Sequence, residues 1–278
     1  MTSDNRQPLS AVLITRNAAS QLAECLASVA FCDEIIVVDS GSEDATVEIA
    51  ERCGARVIQA AWRGFGAQKQ FAVEQATHDW VLCIDADERV SERLQESIRA
   101  VTCPSPACRE FRFAGRQSGL PGTQSASAPA VAAYRCARRN RFMGRYLNHG
   151  EGYPDWSLRL FNRRAARWSD DVVHERVVAT GNIGVLEGDL LHESAESLET
   201  YLAKQNRYST LAANEALARG KRATVMHLLL SPALRFIKFY CFRLGLLDGL
   251  PGLVHILIGC GASFAKYAKM LHFQRSGQ

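Results

Sequence analysis

The chain has 278 residues, of which 47% are hydrophobic and 22% are charged. This composition supports a sizeable core and excludes global disorder, a collagen-like chain, a coiled coil and a disulfide-stapled miniprotein. The net charge of +4 conceals an asymmetry, because residues 200–278 carry +9 and residues 1–199 carry −5. A basic C-terminal part predicts an anionic neighbour, either a membrane surface or a nucleic acid.

The nine cysteines are irregularly spaced and form no C-x-x-C pair. This pattern favours buried or incidental thiols in a reducing compartment over a disulfide framework or a zinc site. The first eight residues are polar and show no signal peptide. We therefore expect a cytoplasmic location.

Short apolar runs alternate with helical patterns through the first hundred residues. The runs cover 9–15, 35–38, 56–58 and 80–84, and helices are expected from about residues 22, 44 and 67 and after Ser91, which can cap one. Continuous runs of this kind indicate strands buried on both faces. They predict an α/β fold with a mainly parallel, Rossmann-like sheet and helices on both of its faces.

Polar residues follow three of these strands. Thr15 and Asn17 end the first, Asp39 ends the second, and Asp85 ends the fourth. Ligands of such sheets bind at the carboxyl ends of the strands, so these side chains point to one crevice. Asp85 and Asp87, two residues apart, can chelate a hard cation, although short acidic pairs also form turns.

Two loops near this crevice contain glycine. Gly41 would let the backbone approach a ligand, with a simple turn capped by Ser42 or Asp44 as the alternative. Lys69, in the first turn of a helix after a Gly-containing loop, would reach a diphosphate unless it is an ordinary surface lysine. The loop matches neither a Walker A motif nor a full dinucleotide fingerprint.

The middle of the chain is polar and rich in arginine. Residues 118–129 have the composition of a mobile loop, and residues 158–192 predict short strands. Five arginines lie between residues 134 and 145: Arg135, Arg138, Arg139, Arg141 and Arg145. Their density suits phosphate or carboxylate binding, with a solvated basic loop as the alternative, and no fold signature supports nucleic-acid binding.

The pattern becomes helical and apolar from about Ser197. We predict domains at 1–195 and 196–278, the second being a helical region that associates with a membrane. Its longest uncharged run, 249–265, has 17 residues with four Gly and one Pro, at or below the limit for a span. The region therefore resembles a surface-lying amphipathic segment more than a transmembrane pass, and a packed helical subdomain is the alternative.

Several segments together resemble the family 2 glycosyltransferases. They are ITRN at 14–17, VVDSGSEDAT at 37–46, GFGAQK at 64–69 and IDADE at 84–88. The segments at 149–161 and 170–175, with LDG at 247–249, resemble the bacterial branch that builds the lipopolysaccharide core. Ala18 and Gln70 depart from the family pattern, which often has Glu and Asn there.

This resemblance implies a GT-A fold and an inverting transfer of a hexose, expected to be glucose from UDP-glucose, onto a heptose of the lipopolysaccharide inner core. A divalent metal, Mg²⁺ or Mn²⁺, is implied as cofactor. The expected partners are a UDP-sugar, a phosphorylated glycolipid acceptor and the inner face of the cytoplasmic membrane, with no nucleic acid. The nucleotide-sugar residues are expected to be Thr15, Asn17, Asp39, Gly41, Lys69 and Asp85, and the metal ligands Asp85 and Asp87. His192 is a further candidate ligand that would reach the metal or the diphosphate, with a purely structural role as the alternative.

An inverting transfer needs a base that deprotonates the acceptor hydroxyl. Glu175 is ranked first, with the adjacent His174 orienting it. Asp155 is second, and its alternative role is an ion pair with Arg159, four residues later. Acceptor contacts are assigned to Arg138, Arg139, Arg141 and His149.

Two other functions stay open. One is transfer onto a polyprenyl-phosphate or another surface glycan, which the long apolar helices would suit. The other is a non-catalytic module that binds a sugar nucleotide or a membrane. No motif names the donor sugar, the acceptor position or the oligomeric state.

Overall fold

The computed structural model describes residues 6–103, 131–169, 175–193 and 197–276. The chain divides into two compact units, one of Met1–Arg138 with Trp156–His192 and the other of Arg139–Asp155 with Glu193–Gln278. The predicted boundary at 195 lies close to the division after His192. Residues 139–155, which we expected in the first domain, belong to the second unit.

Strands and helices alternate through the first part of the chain. In order they are β1 (Leu9–Thr15), α1 (Ala19–Ser28), β2 (Glu34–Asp39), α2 (Thr46–Arg52), β3 (Arg56–Gln59), α3 (Phe65–Glu74), β4 (Trp80–Cys83), β5 (Glu88–Val90) and α4 (Glu92–Thr102). After them come β6 (Val131–Phe142), β7 (Arg145–Tyr146), β8 (Asp155–Asn162), β9 (Ala166–Trp168), β10 (Val177–Ala179) and β11 (Asn182–His192). Ser91 caps α4 as predicted, its hydroxyl accepting a hydrogen bond from the N–H of Leu94.

The main sheet has the order β3-β2-β1-β4-β8-β6-β11-β5, with β7 paired to β6. The pairs among β3, β2, β1 and β4 are parallel, as the apolar runs predicted. The pairs β4–β8 and β5–β11 are antiparallel, so the sheet is mixed. In the parallel part Thr15 lies opposite Asp39, which brings two of the predicted strand ends together.

Helices cover both faces of this sheet, as predicted. One face of β1 contributes Leu9, Ala11 and Leu13 to a core with α1 and α4, and the alternate residue Val12 packs with α3. Strand residues alternate between faces, so a strand buried on both sides must be apolar at consecutive positions. This is the physical origin of the runs in the sequence.

The second unit is dominated by helices. These are α5 (Leu198–Ala218), α6 (Val225–Phe236) continued by a π-helix (Ile237–Phe242), a 3₁₀ turn (Gly245–Asp248) and α7 (Gly249–Ser276). Helix α7 packs against both α5 and α6. The stretches Val225–Phe242 and Gly245–Ser276 are long and apolar enough to cross a membrane, judged by length and composition.

The amino ends of the strands are tied together by Glu34. Its carboxylate accepts hydrogen bonds from the hydroxyl of Ser10 at 2.6 Å, from the N–H and hydroxyl of Thr77 at 2.8 Å each, and from Arg56 at 3.0 Å. Burial by itself would raise the pKa of Glu34, but these bonds outweigh it and lower the pKa to about 2.

We expect Glu34→Gln to lower the free energy of unfolding by about 2 kcal/mol at neutral pH. The folded-state pKa lies below the unfolded-state value of about 4.3, so this contribution is complete above that pH and is lost as pH falls towards 2. Urea unfolding of both proteins at pH 7 and at about pH 3 measures it. The exposed Glu48→Gln variant is the control, with an expected change below about 0.5 kcal/mol. A difference between wild type and Glu34→Gln that is the same at both pH values would contradict this role.

Candidate active site

The loops after β1 and β2 form one hydrogen-bonded unit around Asp39. This carboxylate is buried and accepts bonds from the hydroxyl of Thr15 at 2.9 Å, the N–H groups of Gly41 at 3.0 Å and Ser42 at 2.9 Å, and the hydroxyl of Ser42. Gly41 has φ +82°, which a glycine adopts without strain. Asp39 therefore braces the loop, and its contact with a nucleotide stays a prediction.

Asn17 joins the same unit from the end of β1. Its φ is +51°, and its side-chain oxygen accepts a hydrogen bond from the N–H of Glu43 at 2.8 Å. The N–H of Asn17 donates to the hydroxyl of Ser42 at 2.8 Å. Hydrogen bonds thus join the two loops at the carboxyl ends of β1 and β2.

Gln68, which was not among the residues predicted from the sequence, contacts the loop after β2 from α3. Its side chain is fully buried, and its amide nitrogen donates to the hydroxyl of Ser40 at 3.1 Å. Its amide oxygen has no hydrogen-bond partner within the described residues. A buried acceptor without a donor is costly, so this oxygen is a suitable contact for an N–H or O–H of a ligand. Its position directly before Lys69 was the signal that could have found it.

Lys69 is buried beside acidic and aromatic groups. Its ammonium lies 3.0 Å from a carboxylate oxygen of Asp85 and 3.8 Å from one of Glu175. It also lies 4.8 Å from the ring centre of Trp168. With only 5% of its surface exposed, Lys69 is not an ordinary surface lysine. The structure therefore brings together three of the predicted site residues.

Gln70 explains part of this packing. Its side-chain oxygen accepts a hydrogen bond from the N–H of Trp168 at 3.0 Å, and its amide nitrogen donates to Glu74 at 3.0 Å. The residue that departs from the family pattern thus ties α3 to β9 beside Lys69.

A buried cation, Arg159, continues the site behind Asp85. One of its guanidinium nitrogens lies 2.7 Å from Asp85 and 2.5 Å from Glu88, a carboxylate with no exposed surface. Arg138 approaches Glu88 at 3.5 Å. Burial would raise the pKa of Asp85, but Arg159 and Lys69 outweigh it and hold this pKa below its usual range. Burial also raises the pKa of Glu88, and here Arg159 only partly opposes it.

Arg159 corrects one sequence-based alternative. It was considered as an ion-pair partner of Asp155, yet its guanidinium pairs with Asp85 and Glu88. Residues four apart on an extended strand are about 13 Å apart along it, so the helical spacing rule does not apply to β8. The antiparallel pairing that sets Leu160 opposite Leu82 carries Arg159 towards Asp85 instead.

Asp87 and His192 form a second pair at this end of the sheet. The antiparallel register of β11 with β5 sets His192 opposite Glu88, so that its Nε2 lies 3.2 Å from a carboxylate oxygen of Asp87. Both side chains are partly exposed. Within the described residues, no cluster of three or more His, Cys, Asp or Glu side chains is placed to hold a metal ion. One carboxylate and one imidazole still suit a divalent cation whose other ligands are phosphate oxygens and water.

The residues predicted as the base and as acceptor contacts are divided between the two units. His174 lies outside the described residues, while Glu175 is described and lies near Lys69. Asp155 begins β8 and belongs to the second unit, as do Arg139, Arg141 and His149.

The second unit holds an imidazole against a buried carboxylate. Asp248 accepts hydrogen bonds from the N–H groups of Asn148 at 3.0 Å and His149 at 2.8 Å, and Nδ1 of His149 lies 3.2 Å from it. Arg139 stacks over the ring of Tyr153, with 5.4 Å between the guanidinium carbon and the ring centre. Arg141 pairs with Glu193 at 3.1 Å. The predicted acceptor residues of this unit are therefore held in place but partly exposed.

Comparison with known proteins identifies the family. The family model "Glycosyl transferase family 2" matches residues 10–168. The lipopolysaccharide core biosynthesis glycosyltransferase LpsC of Rhizobium meliloti (strain 1021) is 33% identical over 95% of this chain and 92% of its own length. An uncharacterized glycosyltransferase of Rickettsia felis is 31% identical over 95% of this chain and 89% of its own length. Among solved structures, S. aureus TarS 1–349 aligns with a TM-score of 0.44 and 16% identity over 98% of this chain and 92% of its own. With its mixed α/β sheet and the family match spanning more than half its length, the chain belongs to glycosyl transferase family 2 and has the GT-A fold.

Proposed function

We propose that this glycosyltransferase transfers a hexose from a UDP-sugar, with inversion, onto a heptose of the lipopolysaccharide inner core. The observation that carries the proposal is the meeting of Lys69, Asp85 and Glu175 at the carboxyl end of the sheet. The similarity to LpsC, whose name places it in lipopolysaccharide core biosynthesis, supports the acceptor class. Glucose is the hexose we propose.

The nucleotide end of the donor is assigned to the braced loops. Thr15, Asn17, Asp39 and Gly41 lie in these loops, and the orphaned oxygen of Gln68 offers one acceptor there. Lys69 places a buried positive charge where a diphosphate needs it, and Asp85 fixes the position of that charge. Because these groups are held before a ligand arrives, little ordering remains to oppose binding.

We assign the metal to Asp87 and His192, which fit a divalent cation such as Mg²⁺ or Mn²⁺ as two of its ligands. Such a cation neutralises charge on a diphosphate leaving group. Asp85 was predicted as a further ligand, but its oxygens are bound by Lys69 and Arg159, so it is better placed to orient those cations.

Glu175 is assigned as the general base. Its carboxylate takes the proton of the acceptor hydroxyl while that oxygen forms a bond to the anomeric carbon from the face opposite the diphosphate. The bond between the anomeric carbon and the diphosphate oxygen breaks, and UDP departs with the electron pair. The ammonium of Lys69 lies 3.8 Å from the carboxylate of Glu175, which sets this carboxylate beside the charge assigned to the diphosphate.

Glu175→Gln should lower the transfer rate about 100-fold or more, because an amide accepts no proton. Binding of UDP, followed by calorimetry, should change little. Asp155→Asn is the matched control, since it removes the carboxylate ranked second. A normal rate in Glu175→Gln together with a large loss in Asp155→Asn would move the base to Asp155.

The acceptor is assigned to the basic residues Arg138, Arg139, Arg141 and His149. Arginine forks suit the phosphates and carboxylates of an inner-core glycolipid, and such an acceptor resides at the inner face of the cytoplasmic membrane. The exposed apolar helices of the second unit support action at that surface.

The deciding experiment is a panel of nucleotide sugars combined with truncated core acceptors, followed by linkage analysis of the product. We expect a β-linked hexose on a heptose when UDP-glucose is supplied. Transfer only to a polyprenyl-phosphate would overturn the acceptor. An absence of both transfer and donor hydrolysis would leave a module that binds without catalysis.

A further inference from the structure

Helix α6 is amphipathic in the reverse sense of a helix in a water-soluble protein. Three of its polar side chains, at spacings of four residues, contact neighbouring segments of the second unit. His227 stacks with Tyr267 at 5.5 Å between ring centres, the hydroxyl of Ser231 lies 3.0 Å from that of Ser263, and Arg235 pairs with Glu151. Every one of these contacts lies within the second unit.

Seven large apolar side chains of α6 and its π-helical continuation are exposed. Within Val225–Phe242 no residue is buried. The outer face consists of large apolar residues that are each at least 45% exposed: Val225, Met226, Leu229, Leu230, Leu234, Ile237 and Phe242. A stripe this long and continuous is a binding surface rather than scattered surface leucines.

The charges of this region favour an anionic partner. Residues 225–276 contain six Lys and Arg but only one acid, Asp248. Asp248 is buried and bound to the N–H groups of Asn148 and His149. The exposed surface of this stretch is therefore apolar and basic, which is the combination that binds anionic bilayers.

We propose that the outer face binds a bilayer with anionic headgroups, and that α6 lies in the plane of one leaflet instead of crossing it. The inference rests on the membrane location proposed above and adds the contacting face and its depth. A lipid surface accounts for both the apolar stripe and the excess of lysines and arginines in this stretch. A second copy of this chain would bring like charges together, so it is disfavoured.

The turn after α6 argues for the in-plane arrangement. The N–H of Gly150 donates to the carbonyl of Arg243 at 2.8 Å, and Arg145 donates to the carbonyl of Leu247 at 3.4 Å. His149 also bonds to Asp248, so the polar loop of residues 145–150 packs against the turn of residues 243–248. A spanning hairpin would carry these charged groups through hydrocarbon, whereas an in-plane helix keeps them at the headgroup level.

The first test compares two double variants of the full chain. Leu229→Gln/Leu234→Gln should lower partition onto phosphatidylcholine–phosphatidylglycerol vesicles about tenfold or more. Ile183→Gln/Val185→Gln, which changes two similarly exposed apolar residues of β11, should leave partition unchanged. Equal vesicle binding by wild type and the Leu229/Leu234 variant would overturn the proposal. A second result would also overturn it: a wild type that is dimeric and binds no vesicles, with a Leu229/Leu234 variant that is monomeric. The outer face would then be a dimer interface.

The second test measures depth. Single tryptophans are introduced as Leu229→Trp, Leu234→Trp and Phe242→Trp, and the fluorescence gained over wild type is quenched with lipids brominated at different depths. An in-plane helix gives three similar, shallow depths. A deep Leu234→Trp between two shallow positions would show a spanning helix and overturn the in-plane arrangement.

Hydrolysis of the UDP-sugar in vesicle-free buffer separates this inference from the proposed reaction. The Leu229/Leu234 variant should keep wild-type hydrolysis, because none of its changes touches the assigned site. If the Leu229/Leu234 variant shows normal hydrolysis and unaltered vesicle binding, only the proposed membrane-binding face is contradicted. If vesicle binding depends on the outer face but the wild type shows neither hydrolysis nor transfer, only the proposed enzymatic function is contradicted.

Discussion

Replacing Asp87 by Asn is expected to lower sugar transfer about 1,000-fold or more while the protein stays folded. Asp87 is one third exposed and pairs with the partly exposed His192, so we expect the core not to depend on its charge. An amide is a poor ligand for a hard divalent cation, and it would leave the diphosphate without that neutralising charge. We therefore expect the transfer rate to fall because metal binding is impaired and not because the protein unfolds.

Two measurements test this expectation independently of turnover. Binding of Mn²⁺ in the presence of UDP, followed by electron paramagnetic resonance, should weaken in Asp87→Asn and in His192→Ala. The exposed Glu48→Gln variant makes the same change of charge on α2 and should retain both metal binding and transfer. Metal-dependent transfer by Asp87→Asn within tenfold of wild type would remove this residue from the metal site.

The parallel half of the sheet could be predicted because burial on both faces leaves a local signature. Runs such as residues 35–38 are apolar at consecutive positions, and the strand β2 is observed there. Parallel register then carries Thr15 beside Asp39 without further information. The antiparallel half has no comparable signature, since its register is set by contacts between distant parts of the chain.

The contrast between local signals and contacts of distant residues also explains which parts of the candidate site could be predicted from the sequence. Asp39 ends a strand, Asp85 follows one and Lys69 lies in the first half of a helix, so their positions could be read locally. Arg159 and Glu88 could not, because their meeting depends on the pairing of β8 with β4. His192 reaches Asp87 only through the register of β11 with β5.

Helix α6 shows a different limit. Its composition predicted an apolar region with basic residues, which fits both a packed subdomain and a membrane surface. Only the inward direction of Ser231 and Arg235 reveals that the apolar side faces outward. Composition does not reveal direction when the polar residues of a helix are the ones that contact its neighbours.

Arg159→Met is expected to cost about 3–5 kcal/mol of stability, the largest effect of any single change at the site. The substitution keeps the volume of the side chain but removes the cation that holds Glu88 and Asp85. Glu88 has no exposed surface, so its charge would be left without an adequate partner in the core. Burial already raises the pKa of Glu88, and the loss of Arg159 would raise it further, towards the neutral form.

A double-mutant cycle separates this charge effect from a simple loss of packing. Glu88→Gln in the Arg159→Met background removes the stranded charge, so the double variant should regain about half or more of the lost stability. Arg164→Met is the matched control, because Arg164 is 77% exposed in its pair with Asp79 and should contribute less than about 1 kcal/mol. Urea unfolding monitored by circular dichroism measures the wild type, the Arg159→Met and Glu88→Gln single variants, the double variant and the Arg164→Met control. Strictly additive costs in the double variant would mean that Arg159 acts through its hydrocarbon alone, and that the charges around Asp85 do not depend on one another.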